Sequence, residues 1–426
     1  MGRQEEEGKS RFQAPRGTSD VLPEDEPYWR FVRGTAERVS GLFGYRYIET
    51  PMFEDAGVWL RTSGEGTEVV EKEMYLFEDR GGDRLALRPE TTASVCRAYV
   101  EHGMASRPQP VRLYYFAQKF RYDRPQAGRY RQHTEFGVEA IGDGEAAVDA
   151  EVIDLLATFY QALGLAGLSL HLNSIGDRAC RPAYIDHLRA YYRDHLSQTC
   201  ADCRLRYEKN PLRLLDCKQT QCQPVIAGAP AITERLCADC DAHFRALRSS
   251  LEALEIEYEL DPHLVRGLDY YTRTVFEFLP PEEGAQSTVG GGGRYDGLIE
   301  LLGGRPTPGI GFGNGIERTI LNLKRQKALV PEVEAPRVYV AHASSEARVA
   351  ALRLARRLRD GGVAAVLGGG RSLKAQLRHA DALGARYVAI LGEQELAKGE
   401  VTLRDMRDGQ QHSVAEGEVT AAVAAE

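Results

Sequence analysis

Alternating and helically spaced apolar residues divide the first part of the chain into short elements. A helix is predicted over residues 26–43, where apolar side chains recur every three or four positions. Strands are predicted over 111–116 and 134–142, and the polar stretch 121–132 joins them as a long loop. Strands that are joined by polar loops rather than by regular helical crossovers favour antiparallel pairing. We therefore expect an α+β domain built on an antiparallel sheet.

A block with different patterning interrupts this sheet. Residues 161–257 combine helical spacing with most of the cysteines, and strand-like alternation resumes only at 272–278. The Pro-Glu-Val-Glu-Ala-Pro segment is the clearest linker, and the strands and helices that alternate after it predict a small α/β domain with a mainly parallel sheet. The predicted organisation is a flexible tail (1–14), a core in two parts (15–160 and 258–330), a helical, cysteine-rich insertion (161–257), the linker (331–336) and a C-terminal α/β domain (337–426).

The charge of the chain bears on its partners. A formal net charge of -8 argues against indiscriminate binding to polyanions, but residues 337–390 contain ten Arg or Lys against three Asp or Glu. This local excess is typical of a nucleic-acid contact, although a solvated, arginine-rich helix surface would have the same composition. No segment approaches the roughly 20 apolar residues of a membrane span, and the polar N-terminus has no apolar signal region. We expect a cytoplasmic protein with no membrane contact.

Four arginines in the loop between the two predicted strands form the strongest chemical signal. The segment runs Phe-Arg-Tyr-Asp-Arg-Pro-Gln-Ala-Gly-Arg-Tyr-Arg-Gln over residues 120–132. Guanidinium groups bind phosphate through planar, bidentate hydrogen bonds, whereas a structural alternative is a solvated loop with surface ion pairs. Arg121 follows an apolar strand directly, so its permanent charge would point into the sheet face, where an anion would compensate it.

Two later segments add an arginine each. Arg266 precedes a glycine that allows close approach of a ligand to the backbone. In the same segment, Tyr270 and Tyr271 are expected to face opposite sides of a strand. In the run Gly-Ile-Gly-Phe-Gly-Asn-Gly over 309–315, alternate glycines would leave one strand face open to a flat group such as adenine, with Arg318 at the start of the next helix. The same glycines could mark a dinucleotide site of an oxidoreductase, but that interpretation requires a βαβ unit that the surrounding sequence does not supply.

Taken together, these segments resemble motifs 2 and 3 and the histidine-specific signature of histidyl-tRNA synthetases, which are class II aminoacyl-tRNA synthetases. Residues 26–51 resemble motif 1 and 88–93 the amino-acid-binding loop, and 292–297 and 368–371 also match. The resemblance implies the class II catalytic fold with an antiparallel sheet and a C-terminal anticodon-binding domain. It further implies a homodimer that activates L-histidine with ATP and Mg²⁺ and transfers the histidyl group to the 3′ end of tRNA(His).

The resemblance also implies a pocket for the amino acid. Glu90 and Thr92 would hold the α-ammonium group, while Glu139 and Tyr271 would address the two imidazole nitrogens, with Tyr270 beside them. Where many family members have Gln, this chain has Glu135, which lies on the same side of an alternating strand as Glu139. Two neighbouring carboxylates near a cation are expected to leave one of them partly protonated.

Further roles that the resemblance implies concern ATP and tRNA. Arg121 and Arg266 would flank the α-phosphate and stabilise the charge that develops when the substrate carboxylate attacks it, and Arg318 would hold the γ-phosphate. The residues expected to approach the acceptor end of tRNA are Arg124, Gln126 and Arg129. The basic face of residues 346–386 is expected to meet the anticodon.

The cysteines suggest a metal. Cys200 and Cys203 form one Cys-x-x-Cys pair and Cys237 and Cys240 another, at the spacing of a structural zinc site with four thiolates. Reduced thiols without a metal are the alternative, since a cytoplasmic protein is not expected to contain disulfides.

One competing function shares most of these features. A non-catalytic paralogue that serves as the regulatory subunit of a histidine-biosynthetic phosphoribosyltransferase would look similar. Such chains lack the anticodon-binding domain and usually lose the phosphate-binding arginines. The presence of Arg121, Arg266, Arg318 and residues 337–426 argues against this alternative.

Overall fold

The computed structural model describes residues 12–62, 72–123, 130–281 and 288–424. The chain divides into two compact units, Met1–Pro331 and Glu332–Glu426, and the division falls within the predicted linker. None of the helices in these described ranges is both long and apolar enough to cross a bilayer.

A large sheet organises the first unit, and within the described residues it has eight strands. In order across the sheet they are β1 (Arg46–Tyr47), β5 (Val111–Phe120), β6 (Gln132–Ile141), β11 (Gly309–Gly315), β10 (Gly290–Arg294), β9 (Thr272–Leu279), β7 (Ser169–Ser174) and β8 (Glu259–Leu260). The six strands from β5 to β7 pair antiparallel, whereas β1 and β8 are parallel to their neighbours. The predicted antiparallel sheet is confirmed. A smaller sheet consists of β2 (Phe53–Asp55), β4 (Arg84–Leu87) and β3 (Tyr75–Glu78).

The glycine-rich strands exclude the oxidoreductase interpretation. β10 and β11 are adjacent and antiparallel, and β11 also pairs antiparallel with β6. A dinucleotide-binding βαβ unit requires parallel strands joined by a helical crossover. The glycines therefore belong to an antiparallel sheet and not to a dinucleotide fingerprint.

The structure differs from the predicted arrangement at two strands. β7 was expected to belong to the insertion, but it pairs antiparallel with β9 in the large sheet, so the inserted segment begins after Ser174. The sequence over 45–50, which is closed by Pro51, also predicts a strand, but only β1 forms there. The reason is the same in both cases, because alternation describes the local chain, whereas strand pairing depends on partners distant in sequence.

Helices cover both faces of the large sheet. The helices of the first unit are α1 (Glu26–Leu42), α2 (Gly57–Thr62), α3 (Thr92–Glu101), α4 (Ala146–Ala162), α5 (Arg181–Arg193), α6 (Ala201–Lys209), α7 (Gln223–Ala227), α8 (Ala238–Ala253), α9 (Leu298–Leu301) and α10 (Ile316–Gln326). Short 3₁₀ helices lie at Pro23–Asp25, Met104–Ser106, Leu196–Gln198, Pro211–Leu214, Thr220–Cys222 and Ile232–Arg235.

The two faces of β6 have different environments. Phe136, Val138 and Ala140 belong to the core that α1, α4, α8 and α10 share with one face of the sheet. Successive residues of a strand point to opposite sides, so Glu135 and Glu139 point away from that core. The candidate site lies on this second face.

A five-stranded sheet forms the C-terminal unit. Its order, within the described residues, is β13 (Ala365–Leu367), β12 (Val338–His342), β14 (Tyr387–Leu391), β15 (Glu400–Asp405) and β16 (Gln411–Ala415). The first three strands are parallel and the last two antiparallel, so the sheet carries an antiparallel edge that the sequence analysis had not identified. The accompanying helices are α11 (Ala347–Asp360), α12 (Leu373–Ala382), α13 (Glu393–Lys398) and α14 (Val419–Ala424).

Candidate active site

Glycines opposite β6 leave room for two carboxylates. A Cβ atom built at Gly311 would lie 2.0 Å from Oε2 of Glu139, and one built at Gly313 would lie 2.1 Å from Oε2 of Glu135. Any larger residue at either position would displace the carboxylate. The glycine run of β11 thus accommodates protein side chains, a function that the sequence analysis had not anticipated.

Three hydroxyl groups surround the Glu139 carboxylate. Thr92 Oγ1 donates to Oε1 at 2.8 Å, Tyr115 Oη donates to the same oxygen at 3.1 Å, and Tyr295 Oη donates to Oε2 at 2.6 Å. Glu139 is fully buried. Burial raises the pKa of this carboxyl to about 8, although the three hydrogen bonds oppose the change.

Glu90 forms the second buried carboxylate of this pocket. The backbone N–H of Ala93 donates to its Oε1 at 3.1 Å, and Tyr270 Oη donates to its Oε2 at 3.4 Å. Burial raises the pKa of Glu90 to about 7, while the hydrogen bond from Ala93 lowers it. The pocket therefore contains two acidic groups that titrate near neutral pH.

The two consecutive tyrosines do not face opposite sides as predicted. The ring centroids of Tyr270 and Tyr271 are 4.8 Å apart, and both residues are buried. The prediction was wrong because both residues precede β9, which begins at Thr272, so the alternation of a strand does not apply to them. Both rings consequently lie on the side of the carboxylates.

Lys119 pairs with the carboxylate that departs from the family pattern. The Lys119 ammonium group donates to Oε2 of Glu135, and both residues are buried. Burial lowers the pKa of Lys119, and the neighbouring Glu135 opposes that effect. The ion pair supplies a positive charge beside Glu135 that the sequence analysis had missed, because Lys119 lies on a different strand.

The three arginines singled out in the sequence line one cavity of about 310 Å³. Arg121 Nε donates to the carbonyl of Pro89 at 2.8 Å, Arg318 Nη1 donates to the carbonyl of Thr288 at 2.7 Å, and Arg266 forms an ion pair with Glu277. Three separate stretches of chain thus converge. Among the described residues, the basic side chains in the lining are those of Lys119, Arg121, Arg266 and Arg318. The acidic ones are those of Asp123, Glu135, Glu277 and Glu317.

Glu277 and Glu317 are two of the acidic residues that line this cavity. Glu277 also accepts a hydrogen bond from Thr288 Oγ1 at 2.7 Å. Glu317 accepts from the backbone N–H of Thr134 at 2.7 Å, while its Oε2 is buried without a hydrogen-bond partner among the described residues. Burial raises the pKa of Glu317. An unpaired buried carboxylate oxygen is costly unless a cation or donor reaches it.

The remaining predicted site residues have different outcomes. Arg124, Gln126 and Arg129 lie outside the described residues. The cysteine ligand set requires correction, since Cys200 and Cys203 group with Cys217 and Cys222, whereas Cys237 and Cys240 group with Asp177 and Cys180. The two Cys-x-x-Cys pairs begin different helices, α6 and α8. Sequence spacing identifies a pair, but it does not show which pairs share an ion.

The cavity and the pocket are adjacent on one face of the sheet. Glu135 lines the cavity and lies four residues from Glu139 on the same side of β6. Arginines favour a polyanion, and buried carboxylates with tyrosine hydroxyls favour a compact cation with N–H donors. The arrangement can hold an anionic phosphate chain and a cationic, nitrogen-rich molecule next to each other.

Comparisons with known proteins agree with this chemistry. The sequence model described as Histidyl-tRNA synthetase matches residues 17–199 and 207–319, and the one described as Anticodon binding domain matches 337–426. The histidine–tRNA ligase of Dehalococcoides mccartyi is 56% identical over 95% of this chain and 97% of that protein, and that of Moorella thermoacetica is 50% identical over 94% and 95%. The crystal structure of apo S. aureus histidyl-tRNA synthetase has a TM-score of 0.81 at 36% identity and covers 97% of this chain and 100% of that one. The chain therefore belongs to the histidyl-tRNA synthetase family.

Proposed function

We propose that this protein is a histidine–tRNA ligase, which forms histidyl-adenylate from L-histidine and ATP and transfers the histidyl group to the 3′ end of tRNA(His). The observation that carries the proposal is the convergence of Arg121, Arg266 and Arg318 on one cavity beside the carboxylate pocket. We assign activation to the first unit and anticodon recognition to residues 337–426. A cytoplasmic location follows as part of the proposal, because tRNA is charged there.

The carboxylate pocket fits the amino acid. We assign the α-ammonium group to Glu90 and Thr92, and the imidazole to Glu139 and Tyr271. The pKa values of about 7 for Glu90 and about 8 for Glu139 leave both carboxyls partly protonated near neutral pH. A bound cation favours the ionised forms and lowers both pKa values, so histidine binding is expected to release protons.

The arginines fit the phosphates. The substrate carboxylate attacks the α-phosphorus and pyrophosphate leaves, so no protein nucleophile is required. Arg121 and Arg266 would stabilise the charge that develops on the phosphate, and Arg318 would hold the γ-phosphate. Arg266 pairs with Glu277, and an incoming phosphate would replace that carboxylate as its partner.

Glu277 and Glu317 fit a magnesium ion. Mg²⁺ is held by one or two carboxylates together with substrate phosphates, and Glu317 Oε2 is buried without a partner among the described residues. When bound with ATP, the ion would neutralise charge on the outer phosphates. The magnesium ion would then replace Arg266 as the positive partner of Glu277.

Contacts to tRNA are assigned to two regions. Arg124, Gln126 and Arg129 remain our candidates for the acceptor end. In the C-terminal unit, α11 buries Ala351 and Leu354 and exposes Arg353 on its outer face. Further exposed basic residues of the predicted anticodon face are Arg348, Arg356, Arg357, Arg359, Arg371, Lys374 and Arg378.

An exposed apolar surface near motif 1 fits a second copy of the chain. Tyr47, Met52, Phe53, Leu76 and Phe77 are each more than two-fifths exposed. Large exposed apolar patches mark interaction sites, and the resemblance implies that motif 1 forms the dimer interface. Light scattering should give a dimer for the wild type, and replacing Phe53 and Phe77 by Asp should give a monomer.

The function is tested by ATP–pyrophosphate exchange with each of the twenty amino acids. Exchange with histidine alone, followed by charging of tRNA(His), supports the ligase. Silence with every amino acid would support the regulatory paralogue instead. The match of residues 337–426 to an anticodon-binding domain favours the ligase, because regulatory paralogues are expected to lack that domain.

A further inference from the structure

Four cysteines of the inserted segment bring their sulfur atoms together. The Sγ atoms of Cys200, Cys203, Cys217 and Cys222 all lie within 4.8 Å of one another. Two of these separations, Cys200 to Cys217 and Cys203 to Cys222, are 3.8 Å. All four are free thiols, and three of them are buried.

These separations match a tetrahedral metal site. Zinc binds thiolate sulfur at about 2.3 Å, which places the sulfurs of a tetrahedral site about 3.8 Å apart. Backbone N–H groups also point at the cluster, since Cys200 N lies 3.3 Å from Cys222 Sγ and Cys203 N lies 3.4 Å from Cys200 Sγ. Such donors orient metal ligands and support their negative charge.

The cluster lies in a part of the inserted segment that has no strand among the described residues. Residues 196–235 form only short helices within the described structure, and no strand pairs with them there. The cluster joins the start of α6 to the loop before α7. A metal at this position would tie these short elements together, because metal binding and folding are coupled.

A second cluster consists of one aspartate and three cysteines. Asp177 Oδ1 lies 3.7 Å from Cys180 Sγ and 4.0 Å from Cys237 Sγ, and Cys240 completes the group. Arg273 Nη2 lies 3.6 Å from Asp177 Oδ2 and supplies positive charge beside it. This cluster joins the segment after β7 to the start of α8, so it anchors the inserted segment to the large sheet.

We propose that each chain binds two zinc ions, one held by Cys200, Cys203, Cys217 and Cys222 and the other by Asp177, Cys180, Cys237 and Cys240. The thiols lose their protons to solvent when each ion binds, and no redox change occurs. Each Cys-x-x-Cys pair supplies half of a different site. Both ions are structural, because neither cluster lines the arginine cavity.

Zinc content of the full-length protein tests both sites. The protein should be purified without chelators from cells supplied with zinc, and its zinc, iron and sulfur measured by inductively coupled plasma mass spectrometry. We expect about two zinc ions per chain. Cys217→Ser/Cys222→Ser should lose one ion and Cys180→Ser/Cys240→Ser the other, while Cys96→Ala, a buried cysteine outside both clusters, should keep both.

Several results would overturn the proposal. Wild-type zinc below about a tenth of an equivalent, or stoichiometric iron in its place, would overturn both sites. A double variant that retains wild-type zinc would overturn the site it alters. Because the variants risk misfolding, wild-type protein should also be reconstituted with Co²⁺. Intense thiolate-to-cobalt charge transfer with tetrahedral visible bands supports the sites, and their absence overturns them, whatever the exchange assay shows.

Discussion

Replacing Glu139 by Gln is expected to stabilise the fold at alkaline pH while abolishing activity. Glu139 is fully buried and accepts hydrogen bonds from Thr92, Tyr115 and Tyr295. A glutamine has the same shape, and its carbonyl oxygen can keep accepting such bonds. What it lacks is the capacity to ionise, so the variant separates the charge of Glu139 from its packing.

The magnitude follows from the pKa of Glu139, which burial raises from 4.5 to about 8. Ionising this carboxyl in the fold therefore costs up to roughly 5 kcal/mol more than in the unfolded chain. The folded state binds the proton more tightly, so this stability is fully present below about pH 4.5 and is lost as the pH rises through about 8. Glu139→Gln cannot ionise at this position, so the variant does not lose this stability as the pH rises. Its stability relative to wild type should rise by as much as about 1.4 kcal/mol per pH unit across this window.

The assay is thermal unfolding of wild type and variant at one scan rate, from about pH 5.5 to about pH 8.5. The difference in Tm between them should grow steadily with pH. Glu37→Gln, on the exposed face of α1, is the control and should show no such trend. In parallel, Glu139→Gln should lose histidine-dependent exchange, because the neutral amide cannot stabilise a cationic substrate.

A pH-independent difference in Tm would refute the reasoning, since it would mean that Glu139 ionises in the fold as easily as in the unfolded chain. A difference that shrank toward alkaline pH would reverse the sign of the predicted linkage. Retained exchange activity in the variant would separate Glu139 from histidine recognition altogether.

Further substitutions and one pH dependence test the cavity and the pocket. Arg266→Ala should leave the protein folded, with a lower Tm because Glu277 loses its ion-pair partner. It should slow adenylate formation by about 10² or more, and an unaltered single-turnover rate would contradict its assignment. Lys119→Met should destabilise the protein by about 3–5 kcal/mol because it leaves Glu135 buried without its partner. Urea denaturation of the double variant with Glu135→Gln should show that much of the lost stability returns. No recovery would argue against the ion pair. The KM for histidine should fall as the pH rises through about 7 to 8, where Glu90 and Glu139 ionise. Tyr295→Phe removes a hydrogen bond that lowers the pKa of Glu139, so the pH profile of exchange should move to higher pH. An unshifted profile would count against this role of Tyr295.

The convergence of the arginines could be predicted from sequence because each lies in a distinctive local pattern. Arg121 follows an apolar strand, Arg266 precedes a glycine, and Arg318 begins a helix after a glycine run, and all three line one cavity. The resemblance placed Thr92 and Glu139 in one amino-acid pocket, but it did not predict the hydrogen bond between them. These features needed no knowledge of strand register.

The partners of these residues could not be predicted, because they depend on which strands lie side by side. Lys119 meets Glu135, and Tyr115 meets Glu139, only because β5 and β6 pair in one register. The same limitation explains why β7 was assigned to the insertion. It also explains the cysteines, where the ligand sets depend on how α5, α6 and α8 are placed relative to one another.

If the arginine cavity holds ATP as proposed, the charges of its lining bear on which form of the nucleotide it binds. Among the residues that the structure describes, four basic and four acidic side chains line it, and the formal charges of these eight cancel. Metal-free ATP would bring some four negative charges to this site, and the acidic side chains of the lining would repel it. A nucleotide that arrives with its divalent counter-ions brings far less excess charge. On the proposed function, metal-free ATP is therefore expected to bind this cavity more weakly than ATP that carries its divalent cation.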